Sequence, residues 1–307
     1  YFNKGGSMRK KIIAIVISVI IGSLCCFGIT GFGAEKDSIT VGWPQYGEQS
    51  ILGHMISILI SENTDISVKT VEDVGGTGIF HQMMNTGAID IGPDYTGDAL
   101  CNVLKEKPIA NPREAWQACK DGYLEKFDIT WLEPTKFNNT YALAVPAEVA
   151  KKYNLKTISD IRPYAKDWLL GSSVEFSQRQ EDGYPAMIAF YDLDFKDIKP
   201  MNPGLMYTAA NSGNVDIIVA FATDARIAKF NLQLLEDDKE FFPAYNAAVT
   251  VHNNVLEKYP ELEPMLNEVF GNLDTKTIIE LNSQESIEGE RRDVIAREYL
   301  KEQGYIK

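Results

Sequence analysis

Hydrophobic and polar positions follow two different periods along the chain from Ser38 onward. Five successive segments read as strand, helix, strand, helix and strand: SITVGW (38–43), EQSILGHMISILISEN (48–63), SVKTVEDV (67–74), GIFHQMMNTG (78–87) and AIDIG (88–92). Gly87 stands where a helix C-cap belongs. Because crossovers between parallel strands are right-handed, this unit predicts an α/β fold, in which helices cover both faces of a parallel sheet.

A second unit of the same kind begins near Asp167. Its segments are DWLLGSSVE (167–175), YPAMIAFYD (184–192), FKDIKPM (195–201), GLMYTAANSG (204–213) and VDIIVAFAT (215–223). Residues 85–100 also align without gaps on residues 211–226, which places Tyr95 and Phe221 at equivalent positions. We expect both to lie just past the carboxyl end of equivalent strands, where open parallel sheets bind ligands. We therefore expect two similar lobes around a cleft.

Two apolar, strand-like segments connect the units. NNTYALAV (138–145) leads from the first unit to the second, and YNAAVTV (245–251) leads back. Two crossings of this kind predict a hinge between the lobes.

The N-terminal segment has the layout of an export signal. We expect residues 1–7, which precede Met8, to be foreign to the native chain. The basic residues 9–11 are followed by an uncharged stretch over 12–34. Three outcomes stay open: cleavage after Gly33, lipid attachment at Cys25 or Cys26, and retention as an uncleaved membrane anchor. We expect the rest of the chain to be extracytoplasmic, in the periplasm or at the cell surface.

Charge and motif content exclude several classes of function. The net charge is −13, and residues 1–34 contain basic groups but no acidic ones, so the exported part is still more acidic and nucleic acid is not an expected partner. The three histidines match no metal-ligand spacing, no GxSxG occurs, and Gly76-Thr77-Gly78 lacks the third glycine of a dinucleotide fingerprint. We predict no enzyme, cofactor or metal. Beyond the signal, Cys101 and Cys119 are left either to pair or to stay free.

Aromatic residues gather at the predicted strand ends and connections. They are Trp43, Tyr46, Tyr95, Tyr141, Tyr207 and Phe221. Each taken singly fits core packing, but as a group beside Glu48, Asp94 and Asp98 they predict a ring-lined pocket for a quaternary ammonium, which ring faces attract without hydrogen bonds. If the ligand also carries a carboxylate, the available donors are Arg179 first, then Arg226, Gln49, Asn139 and Thr223. A helix cap at Asp98 and a surface salt bridge at Arg179 remain alternatives.

Several runs resemble one family in order along the chain. EQSILGHM, VGGTGIFHQMMNTGAIDIGPDYTGDAL, FNNTYALAV, SVEFSQRQEDGYP, PGLMY, FATDARI and LEDDKEFFPAYNAAV look like the OpuBC/ProX-type substrate-binding proteins of ABC importers for glycine betaine, choline and carnitine. The resemblance implies a two-lobed type II periplasmic-binding-protein fold with two hinge crossings. Lobe 1 would comprise residues 35–141 and 246–307, and lobe 2 residues 142–245.

The resemblance also implies a function and a site. A monomer would close on a small quaternary ammonium solute and deliver it to a membrane permease driven by an ATPase. Tyr95 and Tyr141 would belong to a ring cage, with Phe221 where a tyrosine is usual. GWPQYGEQ, GPDYTGD and AFATDAR depart from the SKNFTEQ-, YPEYTGT- and AYSTDGR-like family segments, so the cargo stays open between these solutes and ergothioneine, or a basic amino acid. A solute sensor without transport is a further alternative.

Overall fold

The predicted strands form two separate five-stranded sheets. A computed structural model describes residues 38–307, and these form one compact unit. The expectations for the N-terminal segment, including Gly33, Cys25 and Cys26, lie outside the described residues. Among the helices of residues 38–307, none is long and apolar enough to cross a membrane.

Ten strands build the two sheets. They are β1 (Ser38–Gly42), β2 (Ser67–Val71), β3 (Ile91–Tyr95), β4 (Ile129–Trp131), β5 (Tyr141–Pro146), β6 (Leu169–Ser173), β7 (Asp197–Met201), β8 (Ile217–Phe221), β9 (Leu232–Leu234) and β10 (Ala247–His252). The first sheet has the order β2-β1-β3-β10-β4, and the second has the order β7-β6-β8-β5-β9. In each, three parallel strands are followed by a strand antiparallel to its neighbours: β10 in the first sheet and β5 in the second. The predicted α/β class is confirmed, and the two sheets repeat one topology.

Helices cover the sheets. They are α1 (Gly47–Asn63), α2 (Thr77–Asn85), α3 (Thr96–Asp98), α4 (Pro112–Phe127), α5 (Ala147–Tyr153), α6 (Val174–Gln178), α7 (Tyr184–Tyr191), α8 (Pro203–Asn211), α9 (Arg226–Lys229), α10 (Asn253–Lys258), α11 (Leu262–Phe270), α12 (Thr275–Ser283) and α13 (Arg292–Glu302). A π-helix, Ala99–Leu104, continues α3, and another, Gln284–Glu288, continues α12. The C-terminal helix α13 packs on α1, which itself contacts β1, β2 and β3 of the first sheet.

The two strands matched by the internal alignment end at the same position. β3 ends at Tyr95 and β8 at Phe221, so the aligned residues are the last of their strands. The sequence placed the first of these strands at 88–92, three residues too early. The N–H groups of Ala88 and Ile89 donate to the carbonyl of Met83 and so complete the C-terminal end of α2. The Asp90 carboxylate accepts the N–H of Thr40. The strand therefore begins only at Ile91.

Candidate functional site

A cavity lies between the carboxyl ends of the two sets of parallel strands. Its empty volume is about 820 Å³, including the mouth that opens to solvent. It is lined by Tyr46, Gly47, Glu48, Gln49, Thr77, Tyr95, Asp98, Asn139, Tyr141, Glu175, Pro203, Phe221, Thr223, Asp224, Arg226, Tyr245, Asn282, Glu285 and Ser286. These residues come from both sheets, from both connections and from the C-terminal helices.

Four rings form one continuous wall of the cavity. Tyr141, the first residue of β5, pairs in register with Phe221 of β8, and their ring centroids lie 5.4 Å apart. Tyr245 lies 5.3 Å from Tyr141, and Tyr46 lies 6.4 Å from Phe221. A Cβ at position 97 would lie 2.4 Å from the Tyr245 ring, so the Tyr245 ring can occupy this position only because residue 97 is glycine. The wall thus offers several ring faces to one volume.

A buried carboxylate, that of Glu48, joins four elements beside this wall. Its Oε1 accepts hydrogen bonds from the Tyr95 hydroxyl and from Asn139 Nδ2, the latter at 2.9 Å. Its Oε2 accepts from Thr223 Oγ1 at 2.6 Å and from Asn282 Nδ2 at 2.7 Å. Burial raises the pKa of Glu48, and these four donors oppose the rise. The network places the ionisable Glu48 carboxyl group in the cavity wall and connects β3 to the residues that follow β8.

A buried arginine, Arg179, supports the ring wall from outside the cavity. Its guanidinium pairs with Asp98, with Glu175 at 3.3 Å and with Asp182 at 2.5 Å, and it donates to the Tyr245 hydroxyl. The same guanidinium lies 5.6 Å from the Tyr141 ring centroid and 5.7 Å from that of Tyr245. Burial raises the pKa of Asp98 to about 6, although the Arg179 guanidinium pulls it down.

Further ion pairs and hydrogen bonds surround the mouth. The Glu175 carboxylate accepts hydrogen bonds from the hydroxyls of Tyr46 and Thr77. These bonds link α6 to the loop that follows β1 and to α2, the helix that follows β2. Arg226 pairs with Asp224 through Nε at 2.8 Å and through a second nitrogen at 2.5 Å. Lining residue Glu285 pairs with Arg292 at 3.0 Å.

The groups at and behind the wall are predominantly acidic. The carboxylates are Glu48, Asp98, Glu175, Asp182, Asp224 and Glu285, and the arginines are Arg179, Arg226 and Arg292. Each of these arginines is already paired with at least one carboxylate. The arrangement therefore favours a cation over an anion in the cavity.

Most of the residues predicted from sequence meet at this cavity. Those in its lining are Tyr46, Gln49, Tyr95, Asn139, Tyr141, Phe221 and Thr223. Asp98 also lies there, and its side chain does not cap the following helix but accepts from Asn102 Nδ2 at 3.1 Å and from Arg179. Arg179 is buried, so the alternative of a surface salt bridge does not hold.

Four predicted residues lie outside the lining. Trp43 is fully buried over Gly53, where an added Cβ would come within 2.2 Å of the indole, so its ring fills the packing space behind β1. Asp94 points away and accepts from the Tyr123 hydroxyl at 3.1 Å. Tyr207 accepts the N–H of Phe221 at 3.1 Å, and Arg226 stacks on its ring at 4.5 Å. Together with Arg179, Tyr207 stands behind the wall and orients the groups that form it.

Other lining residues were not among the sequence candidates. Tyr245 is not among the sequence candidates, although it begins the return connection and so has a position in that crossing like that of Tyr141 in the first. Asn282, Glu285 and Ser286 come from the C-terminal helical region, and no local pattern marks them. They reach the cavity because the C-terminal region packs against α1.

Two repeated α/β sheets around an aromatic, acidic cavity define a bilobal solute-binding protein. Residues 37–302 match the family model described as the substrate binding domain of an ABC-type glycine betaine transport system. The chain belongs to this family, whose members are solute-binding components of ABC importers and not enzymes. Such proteins bind small ligands and work with a membrane permease.

Individual relatives agree with this assignment. The carnitine transport binding protein OpuCC of Listeria monocytogenes is 35% identical over 305 residues, covering 98% of this chain and 99% of the relative. The glycine-betaine-binding protein of Pseudomonas aeruginosa is 33% identical over 302 residues, covering 92% and 94%. A solved glycine betaine/carnitine/choline ABC transporter structure is 35% identical, with a TM-score of 0.75 over 88% of this chain and 100% of the other. The type II periplasmic-binding-protein fold expected from the sequence is thereby confirmed.

Proposed function

We propose that the cargo of this importer component is a quaternary ammonium compound held in the ring-lined cavity. Tyr46, Tyr141, Phe221 and Tyr245 provide the ring faces, and Tyr95 is fixed beside them by its hydrogen bond to Glu48. A trimethylammonium group cannot donate hydrogen bonds, so ring faces and nearby carboxylates are the groups that attract it. At roughly 0.5–2 kcal/mol for each desolvated ring contact, three or four contacts support micromolar binding.

The charge around the cavity supports a cargo that is cationic overall, as choline is. A zwitterion such as glycine betaine or carnitine brings a carboxylate, which needs a cationic or multiple-donor partner. Arg226 is held in two contacts by Asp224, and Arg179 by three carboxylates. The observation that carries the proposal is this combination of four adjoining rings with arginines that are all already paired.

Capture proceeds by closure of two lobes about the connections. The lobes are residues 35–141 with 246–307, and residues 142–245. Glu48 with Thr223 and Glu175 with Thr77 join groups from the two lobes, and ligand contacts to both walls add to these bonds. The protein acts as an extracytoplasmic monomer, tethered or free, that hands its cargo to an ABC permease.

A thermal-shift panel followed by calorimetric titration tests the proposal. The panel contains choline, glycine betaine, carnitine, ergothioneine and arginine, because a ligand that binds only the folded state raises the Tm. We expect the largest shift with choline and smaller shifts with the zwitterions. Binding of arginine alone would contradict the ring cage, and a preference for carnitine over choline would contradict the choice of a net cation. If choline binds but a neighbouring permease and ATPase are missing from the genome, the protein is a sensor.

A further inference from the structure

Helices α2 and α8 occupy the same place in the internal repeat. The gapless alignment of residues 85–100 on 211–226, continued toward the N-terminus, places α2 on α8 from the first residue of each helix to the last. Ile79 in α2 therefore matches Leu205 in α8. The two residues are equivalent by position and similar in chemistry, since both carry a branched aliphatic side chain.

Ile79 and Leu205 are both exposed, although both are large and apolar. Ile79 is 53% exposed and Leu205 is 60% exposed. The residues that follow them, Phe80 and Met206, are buried, so each helix packs through one side and leaves the preceding residue in solvent. Single exposed apolar residues are common on protein surfaces, but the same exposure at the same position of both repeats calls for a common cause. A surface that binds a partner supplies such a cause.

These two residues flank the mouth of the cavity. Each stands two positions after a residue of the cavity lining, which is Thr77 in α2 and Pro203 in α8. Both helices follow the carboxyl ends of parallel strands, β2 and β7. Neither Ile79 nor Leu205 belongs to the lining itself, so a small ligand in the cavity leaves both side chains uncovered.

A third exposed residue, Val174, connects the two positions. It is the first residue of α6 and is 52% exposed. The next residue, Glu175, accepts a hydrogen bond from Thr77 Oγ1 at 3.0 Å, which brings the start of α6 to the start of α2. On the other side, β6 and β7 pair in register as far as their last residues, so α6 and α8 follow neighbouring strand ends. Ile79, Val174 and Leu205 thus extend from the α2 side of the cavity to the α8 side, and we call them the apolar rim.

We propose that the apolar rim is the surface on which the membrane permease of the importer docks, with Ile79 and Leu205 as two equivalent contacts. The chain belongs to a family of importer components, and cargo leaves the cavity through the mouth that the rim borders. The permease surface that receives the cargo must therefore face these side chains. The complementary chemistry is a pair of apolar depressions, one for each branched aliphatic side chain. This inference depends on the family of the chain and not on the identity of the cargo.

Binding to the reconstituted importer measures the contribution of the rim. The permease of the importer, with its ATPase, is placed in lipid nanodiscs and titrated with wild type, Ile79→Gln, Leu205→Gln and the double variant. The cargo is present at saturation, and it is the compound of the thermal-shift panel that raises the Tm most. Each single substitution should raise the Kd for the nanodisc complex about tenfold, because an exposed aliphatic side chain that is buried on docking is lost. The double variant should lose about 100-fold, since the two contacts are separate.

A matched variant and two further measurements complete the test. Leu124→Gln makes the same change at a leucine that is 47% exposed in α4, which leads into β4 at the opposite edge of the first sheet, and should leave the Kd unchanged. Calorimetric titration with the cargo and the Tm should be the same in every variant, because the substituted side chains are exposed and outside the lining.

Four results would overturn the proposal. The first two are an unchanged Kd in the double variant and an equal loss in Leu124→Gln. The third is equal binding to nanodiscs without the permease, which would assign the rim to the membrane surface. The fourth is a dimer in light scattering that the double variant abolishes, which would assign the rim to a second copy of this chain. If no compound of the panel binds, it is the proposed function that fails, and the variants are then compared without cargo.

Discussion

Replacing Tyr141 tests the ring wall at its centre. Its ring lies 4.9 Å from Phe176, 5.4 Å from Phe221 and 5.3 Å from Tyr245, so it joins the other rings into one surface. Tyr141→Leu removes the ring face and keeps an apolar side chain. A desolvated cation–π contact is worth about 2 kcal/mol, which corresponds to a Kd about 30-fold higher. Calorimetric titration with choline measures this change directly.

Two control variants make the result interpretable. Tyr141→Phe keeps the ring and should bind choline within about threefold of wild type, since ring faces carry most of the attraction. Tyr153→Leu removes a ring that packs 4.5 Å from Tyr164, outside the cavity lining, and should leave the affinity unchanged. Wild-type affinity in Tyr141→Leu, or an equal loss in Tyr153→Leu, would refute the assignment of the wall as the ammonium site.

Three further changes probe the buried carboxylates. Glu48→Gln places an amide nitrogen opposite two hydrogen-bond donors, so we expect urea denaturation to show a loss of about 2–4 kcal/mol and titration to show weaker choline binding; an unchanged midpoint would contradict the network. The pKa of Asp98 is raised to about 6 by burial, so choline affinity should rise several-fold between pH 5 and pH 7 in wild type and stay flat in Asp98→Asn. Burial raises the pKa of Asp94 from 3.8 to about 7, so its proton stabilises the fold at low pH and this contribution is lost as the pH rises through 7. Asp94→Asn should therefore raise the free energy of unfolding at pH 8 by at most about 4 kcal/mol and have little effect near pH 4. An equal effect at both pH values would refute the raised pKa of Asp94.

The equivalence of the two strand ends was predictable because it follows from the internal repeat, although the bounds of the first strand were not. The alignment of residues 85–100 on 211–226 placed Tyr95 and Phe221 at matching positions, and each is the last residue of its strand. Tyr141 was predicted from its place in the first connection, and it pairs with Phe221 because β5 runs antiparallel to β8. Periodicity and repetition in the sequence carry this kind of information.

The remaining part of the site depends on packing between distant segments. Trp43 and Tyr46 both follow the first strand. The indole of Trp43 fills the space beside Gly53, which has no side chain, so Trp43 does not line the cavity. The sequence favours Arg179 as the donor to a ligand carboxylate, yet Asp98, Glu175 and Asp182 surround its guanidinium. Asn282 reaches Glu48 across 234 positions of sequence. No local pattern in a single sequence predicts contacts of this range.

In the proposed function, the cavity selects its ligand by positive charge held against ring faces. Titration with choline and with 3,3-dimethylbutan-1-ol isolates the effect of the charge, since the alcohol has the same shape with carbon in place of the charged nitrogen. We expect micromolar binding of choline and binding of the neutral alcohol at least about 100-fold weaker, a difference of nearly 3 kcal/mol. Equal affinity for the two compounds would contradict it.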